Sequence, residues 1–411
     1  MDGEGGGVEE EKRRGDTELV SGIWYLVFRI PNTKYQIPNT EYMILSILIF
    51  IFILGILVLA HELGHFLVAK RRGVKVEEFG FGFPPRLFGI KRGETLYSIN
   101  LIPLGGFVKL FGEAEGGEPR SPADFVRLDP RAFAARSLGE RASIVLAGVA
   151  GNVFLAWLLF SLAHGVGVPT IVEDGNDGLR DVRVVITEVA PASPAETSGL
   201  MPGDVIVRLR SPEAELAGVD SIEAVQTFVG GRRGSEVTLT VLRSGEERDV
   251  RVTPRVQPPA GEGALGIAMV RSGIRSYPWH EVLVRGAVTT GRLGWAIIRG
   301  FASLIAALAV EGRVAAEVAG PVGIAALSHE AARLGFSYLV FFAAILSLNL
   351  AVINVLPFPA LDGGRLLFLL IEWLKGSPVS RRAERVAHTA GFAFLMALMV
   401  LVTYRDIIRL L

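Results

Sequence analysis

From Met43 to Ala60 the chain reads MILSILIFIFILGILVLA, and the next five residues are HELGH. Eighteen residues without a charge make a helix about 27 Å long, close to the hydrocarbon thickness of a bilayer. The helix ends in ionisable groups, which persist at membrane depth mainly when they are paired or functional. Residues four apart share a helix face, so His61 and His65 can offer two imidazole nitrogens to one zinc ion. Glu62 sits beside them, where it can take a proton from a metal-activated water and later pass it to the leaving amine. These are the parts of a hydrolase.

The composition agrees with a membrane protein, since 50% of the residues are hydrophobic and the mean hydropathy is positive. Cysteine is absent, which removes disulfides and thiolate sites and leaves metal binding to His, Asp and Glu. With 42 basic and 42 acidic residues nothing argues for nucleic acid as a partner. Three more apolar runs extend over about 142–163, 338–356 and 390–402, and four spans put both termini on one side. Lys70, Arg71, Arg72 and Lys75 follow the first span, and Arg131, Arg136 and Arg141 precede the second. Arg365, Lys375, Arg381, Arg382 and Arg385 lie between the third and fourth. Both basic loops should therefore be cytoplasmic, and the region between spans two and three should lie outside the cytoplasm. Counting Trp295 to Val310 as a fifth span would break this charge pattern.

Two histidines need a further protein ligand if one position is to remain for water. The candidate is Asp362 in NVLPFPALDGG. Asn349, Asn354, Pro357 and Pro359 before it, with Gly363 and Gly364 after it, break the helix, which is tolerated at this depth only where the backbone is buried in protein or lines a cavity. Residues 74 to 112 mix short apolar strands with turns before ending in PLGGF. Between about 168 and 270, short β-branched runs separated by turn residues predict a small outer domain.

On HELGH and on LDGG within SLNLAVINVLPFPALDGG, the chain resembles the site-2 protease family of intramembrane zinc metalloproteases, in the bacterial branch like the regulator of sigma-E protease. The resemblance covers most of the chain beyond the first forty residues and includes AGPVGIA, Ala319 to Ala325. It implies one zinc ion per chain held by His61, His65 and Asp362, with Glu62 as catalytic acid and base and Asn354 and Asn349 holding substrate. It also implies a β-hairpin element that re-enters the membrane beside the zinc. VAPASPAETSGLMPGDVI and SIEAVQTFVG resemble a PDZ domain of the permuted bacterial type, whose carboxylate-binding loop would be GALGIA, with Gly266 and Ile267 at the peptide groove. Relatives commonly carry a proline in the second span where this chain has Val149, a change that bears on helix packing alone.

The expected fold is thus a multi-pass α-helical membrane protein of about four transmembrane helices, a membrane-associated β-hairpin element and one extracytoplasmic PDZ-like α+β domain. Its division is a flexible tail at 1–42, a first span with HELGH at 43–70, a cytoplasmic loop at 71–137 and a second span at 138–166. A PDZ-like domain at 168–272, peripheral amphipathic helices at 273–335, the third span with LDGG at 336–374 and a fourth span at 385–411 complete it. The implied place is the bacterial inner membrane, with the termini and the PDZ-like domain outside the cytoplasm and the zinc near the cytoplasmic side. The implied substrates are single-pass membrane proteins, such as an anti-sigma factor or a signal-peptide remnant, already trimmed by an upstream site-1-type protease. A rival reading is an inactive membrane scaffold that binds exposed C-termini through its PDZ-like domain. The intact set of two His, one Glu and one Asp speaks against it. His164, His280, His329 and His388 have no partner at metal-binding spacing and read as polar residues of interfaces.

Overall fold

The computed structural model describes residues 40–113, 129–171, 180–243, 246–259, 261–311 and 319–410. The expected tail at 1–42 lies almost wholly outside the described residues. Helix α1 (Thr40–Arg71) carries the apolar run and HELGH without interruption. Strands β1 (Val76–Arg92) and β2 (Thr95–Leu110) follow. Val76 faces Leu110 and Phe81 faces Gly106, while Phe79 also faces Tyr97 and Arg92 closes onto Thr95. The start of β1 is thereby flanked on both sides, and Gly106–Leu110 has a strand partner on one side only among the described residues. Ala69, Val74, Val76, Leu110 and Ile144 bury this element against the end of α1.

Helix α2 (Leu138–Val166) begins on a capping box, in which Glu140 N–H donates to the Ser137 hydroxyl and Ser137 N–H to the Glu140 carboxylate. It lies backbone to backbone on α1. A Cβ at Gly64 would collide with the Ala147 carbonyl, and one at Gly151 with the Ala60 carbonyl. Small residues permit such approach where no hydrophobic drive exists between helices in lipid.

A β domain follows, with β3 (Val168–Ile171), β4 (Arg180–Val189), α3 (Pro194–Thr197), β5 (Val205–Arg210), β6 (Glu215–Ala217), α4 (Ile222–Gly230), β7 (Val237–Arg243), β8 (Glu246–Val252) and β9 (Ile267–Arg275). The sheet runs β3-β9-β4-β5-β7-β8, with β6 on β5. Val184 and Ile186 of β4 and Leu239 and Val241 of β7 alternate toward a core closed by Val225 and Phe228 of α4, and a register shift between Ile206 and Arg208 brings both Ile206 and Leu209 of β5 to the same face. Asp204, 1% exposed, is paired in bidentate fashion with Arg243. The strands by which the chain enters and leaves are paired with each other, Val168 opposite Arg275.

Helix α5 (Trp279–Glu311) then packs Leu293 and Ile297 onto α2 and onto α7 (Phe336–Val355), beside Ala156, Phe160, Phe341 and Leu348. Between them comes α6 (Pro321–Leu334), and after α7 come α8 (Asp362–Lys375) and α9 (Arg381–Leu410). Four helices among the described residues are long and apolar enough to cross a membrane: Leu45–Arg71, Leu138–Val166, Phe336–Val355 and Arg382–Ile408. Helix α5 is not one of them.

Candidate metal centre

His61 and His65 project from one face of α1, and both are buried. Their Nε2 atoms are 3.2 Å apart, and each lies 3.1 Å from Oδ2 of Asp362. Three ligand atoms of a tetrahedral zinc, with bonds of about 2.0–2.1 Å, would be separated by roughly 3.3 Å. The observed triangle has that size. It is the one group of three His, Cys, Asp or Glu side chains among the described residues that converges in this way.

The outer hydrogen bonds decide what faces the centre of the triangle. Nδ1 of His65 lies 2.8 Å from the carbonyl of Ile144, and a carbonyl can only accept. The proton of His65 is therefore on Nδ1, and Nε2 presents a lone pair. Nδ1 of His61 lies 3.3 Å from the amide end of Asn152, whose buried Oδ1 has no partner. Rotating that amide by half a turn lets Oδ1 accept from His61 Nδ1–H, since the two ends of an amide are assigned from their bonds. Nε2 of His61 is then a second lone pair, and Asp362 Oδ2 has no hydrogen-bond donor. Three acceptors thus surround one buried point, an arrangement that a cation satisfies. The donor set of two imidazoles and one carboxylate fits zinc.

Asp362 arrives by a different route. Helix α7 stops at Val355, the chain passes through Pro357, Phe358, Pro359 and Ala360, and α8 begins at Asp362. A Cβ at Gly363 would overlap the carbonyls of Leu356 and Val355, and one at Gly364 the carbonyl of Phe358. The two glycines let the start of α8 press on the end of α7. Ala360 has φ +80°, a conformation that costs a residue with a Cβ about 1–3 kcal/mol. The far end of α8 is tied down by Glu372, which accepts two bonds from Arg141 at the start of α2.

A cavity of about 390 Å³ opens beside the triangle and is lined by Glu62, Gly106, Val108, Asn354, Arg365 and His388, among others. A Cβ at Gly106 would stand 2.9 Å from both Glu62 Cγ and Val58 Cγ1, so glycine lets the strand backbone approach α1. Arg365 bonds Glu113 at 3.0 Å, and that carboxylate holds the guanidinium above its ordinary value. Asn354 lines the cavity, whereas Asn349 donates to the Ile345 carbonyl within α7 and is not among the lining residues.

In the β domain Gly266 adopts φ +74°, and its carbonyl accepts from the Ala190 N–H. Ile267 opens β9 opposite Val189. β3 covers the outer edge of β9 only from Ser272 to Arg275. Asn152 contacts His61 across 91 positions, and His388, expected as a polar residue of an interface, contacts the turn before Asp362 across 28. Neither separation leaves a local pattern.

A model of Peptidase family M50 matches residues 49–398. The zinc metalloprotease RasP of Geobacillus kaustophilus is 33% identical over 88% of this chain and 97% of its own length. A putative zinc metalloprotease of Nostoc is 34% identical over 89% of this chain and 97% of its own. Another, from Clostridium acetobutylicum, is 34% identical over 88% and 97%.

Proposed function

This chain belongs to peptidase family M50 as a zinc metalloprotease, and from that premise we propose that it hydrolyses peptide bonds inside the membrane-spanning segments of single-pass proteins. The observation that carries the reading is the triangle of 3.1, 3.1 and 3.2 Å formed by His61 and His65, inside the candidate span Leu45–Arg71, and Asp362, just beyond the candidate span Phe336–Val355. Those three residues hold one zinc ion per chain. When bound, the ion supplies Lewis acidity and brings the pKa of a coordinated water to about 7.

The chain's own residues do the rest. Glu62 takes the proton from the attacking water and hands it to the departing amine. A substrate helix unwinds, and its extended segment adds to the unpartnered side of Gly106–Leu110, so that backbone bonds hold the scissile peptide beside Glu62. Asn354, on the cavity wall, bonds the same segment, and Asn349 acts one helical turn and more away. The domain from β4 to β9 is PDZ-like, its groove lying between α4 and Ile267–Arg271 of β9, with the amides around Gly266 and Ile267 meeting a terminal carboxylate. It admits substrates only after an upstream site-1-type protease has removed their outer part.

The basic residues from Lys70 to Lys75 and from Arg131 to Arg141 support a cytoplasmic loop between the first two spans. The zinc site then lies near the cytoplasmic face of a bacterial inner membrane, and the termini and the PDZ-like domain lie outside. On this reading the substrates are anti-sigma factors or signal-peptide remnants, the classes that the family likeness implies. The test is Glu62→Gln expressed in cells lacking the wild-type chain. We expect this variant to keep its metal and to accumulate uncut single-pass proteins with a shortened outer part. Undiminished turnover of those proteins would contradict the mechanism.

A further inference from the structure

The last helix, α9, has little burial along its length, with 6% of its most apolar window inside the protein. Where it does touch the rest of the molecule near the site, the match is regular. His388 Nδ1 accepts the Ala360 N–H at 2.9 Å. One turn on, Gly391 meets Pro359, whose carbonyl would overlap any Cβ at that position. One turn further, the ring of Phe394 lies 5.7 Å from that of Phe358. Positions 388, 391 and 394 share a helix face, and they take the consecutive loop residues Ala360, Pro359 and Phe358 in reverse order. The loop that leads into Asp362 is thus laid along one stripe of α9.

The stripe begins at the least comfortable residue of the loop. Ala360 has φ +80°, and such backbone persists only where its surroundings over-determine it. His388 and Gly391 supply that constraint from a helix whose sequence follows the metal ligand. We propose that α9 is the template for the third ligand, and that His388 is a positioning residue that sets Asp362 through the strained Ala360 turn. His388 does not bind the ion. It accepts the Ala360 amide and so keeps Leu361 and Asp362 turned toward His61 and His65. The proposal rests on Asp362 being a zinc ligand.

The test is zinc affinity, measured by chelator competition on the full chain in detergent micelles, for wild type, His388→Ala, His388→Asn and the double variant His388→Ala with Ala360→Gly. The side-chain carbonyl of asparagine stands near the place of Nδ1, and glycine adopts φ +80° without a Cβ penalty. Loss of a partner bonded directly to a ligand weakens metal binding by about 10–100-fold; His388 acts one step removed, so the loss expected in His388→Ala is at the low end, about tenfold. His388→Asn should stay close to wild type, and the double variant should regain most of the loss. A purely structural role for His388 would not be rescued by a change at position 360. Wild-type affinity in His388→Ala overturns the proposal, and so does an equal loss in His388→Ala and the double variant. Should His388→Ala fail to fold, His388→Asn is compared with His388→Gln, whose carbonyl sits one methylene further out, and equal affinities then overturn it. Zinc bound as in wild type by Asp362→Ala removes the premise, whereas zinc lost there but held by His388→Ala removes only the role of α9.

Discussion

The proposed metal centre is built from two halves made in opposite ways. His61, Glu62 and His65 stand on one unbroken helix, placed by the 3.6-residue repeat and held by α2, whose glycines let the two backbones touch. Asp362 stands at the start of a short helix after a break, and its place depends on two glycines that admit carbonyl oxygens, a residue at φ +80° and a contact from α9. A ligand pair set by helix geometry tolerates change in its neighbours, while a ligand set by a strained turn depends on each of them. The second half should therefore be the fragile one.

Gly363→Ala breaks the comparison most sharply, because its Cβ would meet two backbone carbonyls that cannot rotate away. Overpacking of this kind costs about 1–3 kcal/mol or more. We expect zinc to be lost from the purified protein while far-UV circular dichroism keeps its helical signal. A zinc content equal to wild type would mean that the turn is slack.

Asn152→Ala tests the helix half. It removes the partner of His61 Nδ1 and should weaken zinc by about 10–100-fold in chelator competition. His65 is oriented by the Ile144 carbonyl, which no side-chain substitution deletes, so this half should keep a residual site. Asn152→Asp, which retains the acceptor, should bind more tightly than Asn152→Ala.

Gly106→Ala sharpens the account of the cavity rather than of the metal. The added methyl pushes on Glu62 and Val58, so cleavage of a model transmembrane peptide should fall about tenfold or more, on the scale of small misplacements near the chemistry. Zinc content should not change. The smallest effect belongs to Gly300→Ala on α5, where a Cβ meets nothing within 4 Å. Helix propensity alone predicts a gain of up to about 1 kcal/mol, visible as a higher unfolding temperature with the same activity.

What could be read from the sequence follows the same division. HELGH was legible because its members are four apart on a helix, and LDGG stood out because prolines and glycines interrupt an apolar run. The four long apolar helices coincide with the four runs, although α9 begins at Arg381, well before the run that starts near Ala390. Helices continue through Arg and Glu, so an apolar run underestimates their length. The shape of the Pro359–Ala360 turn was not legible, since a positive φ at alanine leaves no trace in composition. Asn152 and His388 escaped for a related reason. Their partners are 91 and 28 positions away, and only the packing of α1, α2 and α9 brings them together. The PLGGF strand was expected near the metal, but the need for glycine at 106 appears only once Glu62 is seen against it.

The most direct measurement is the zinc content of the full-length chain, purified without added metal, for wild type and Asp362→Ala side by side. About one zinc per wild-type chain is expected, as for a site with three protein ligands, and little or none in the variant. Equal zinc in the two would contradict it, because the late carboxylate would then have no share in holding the ion.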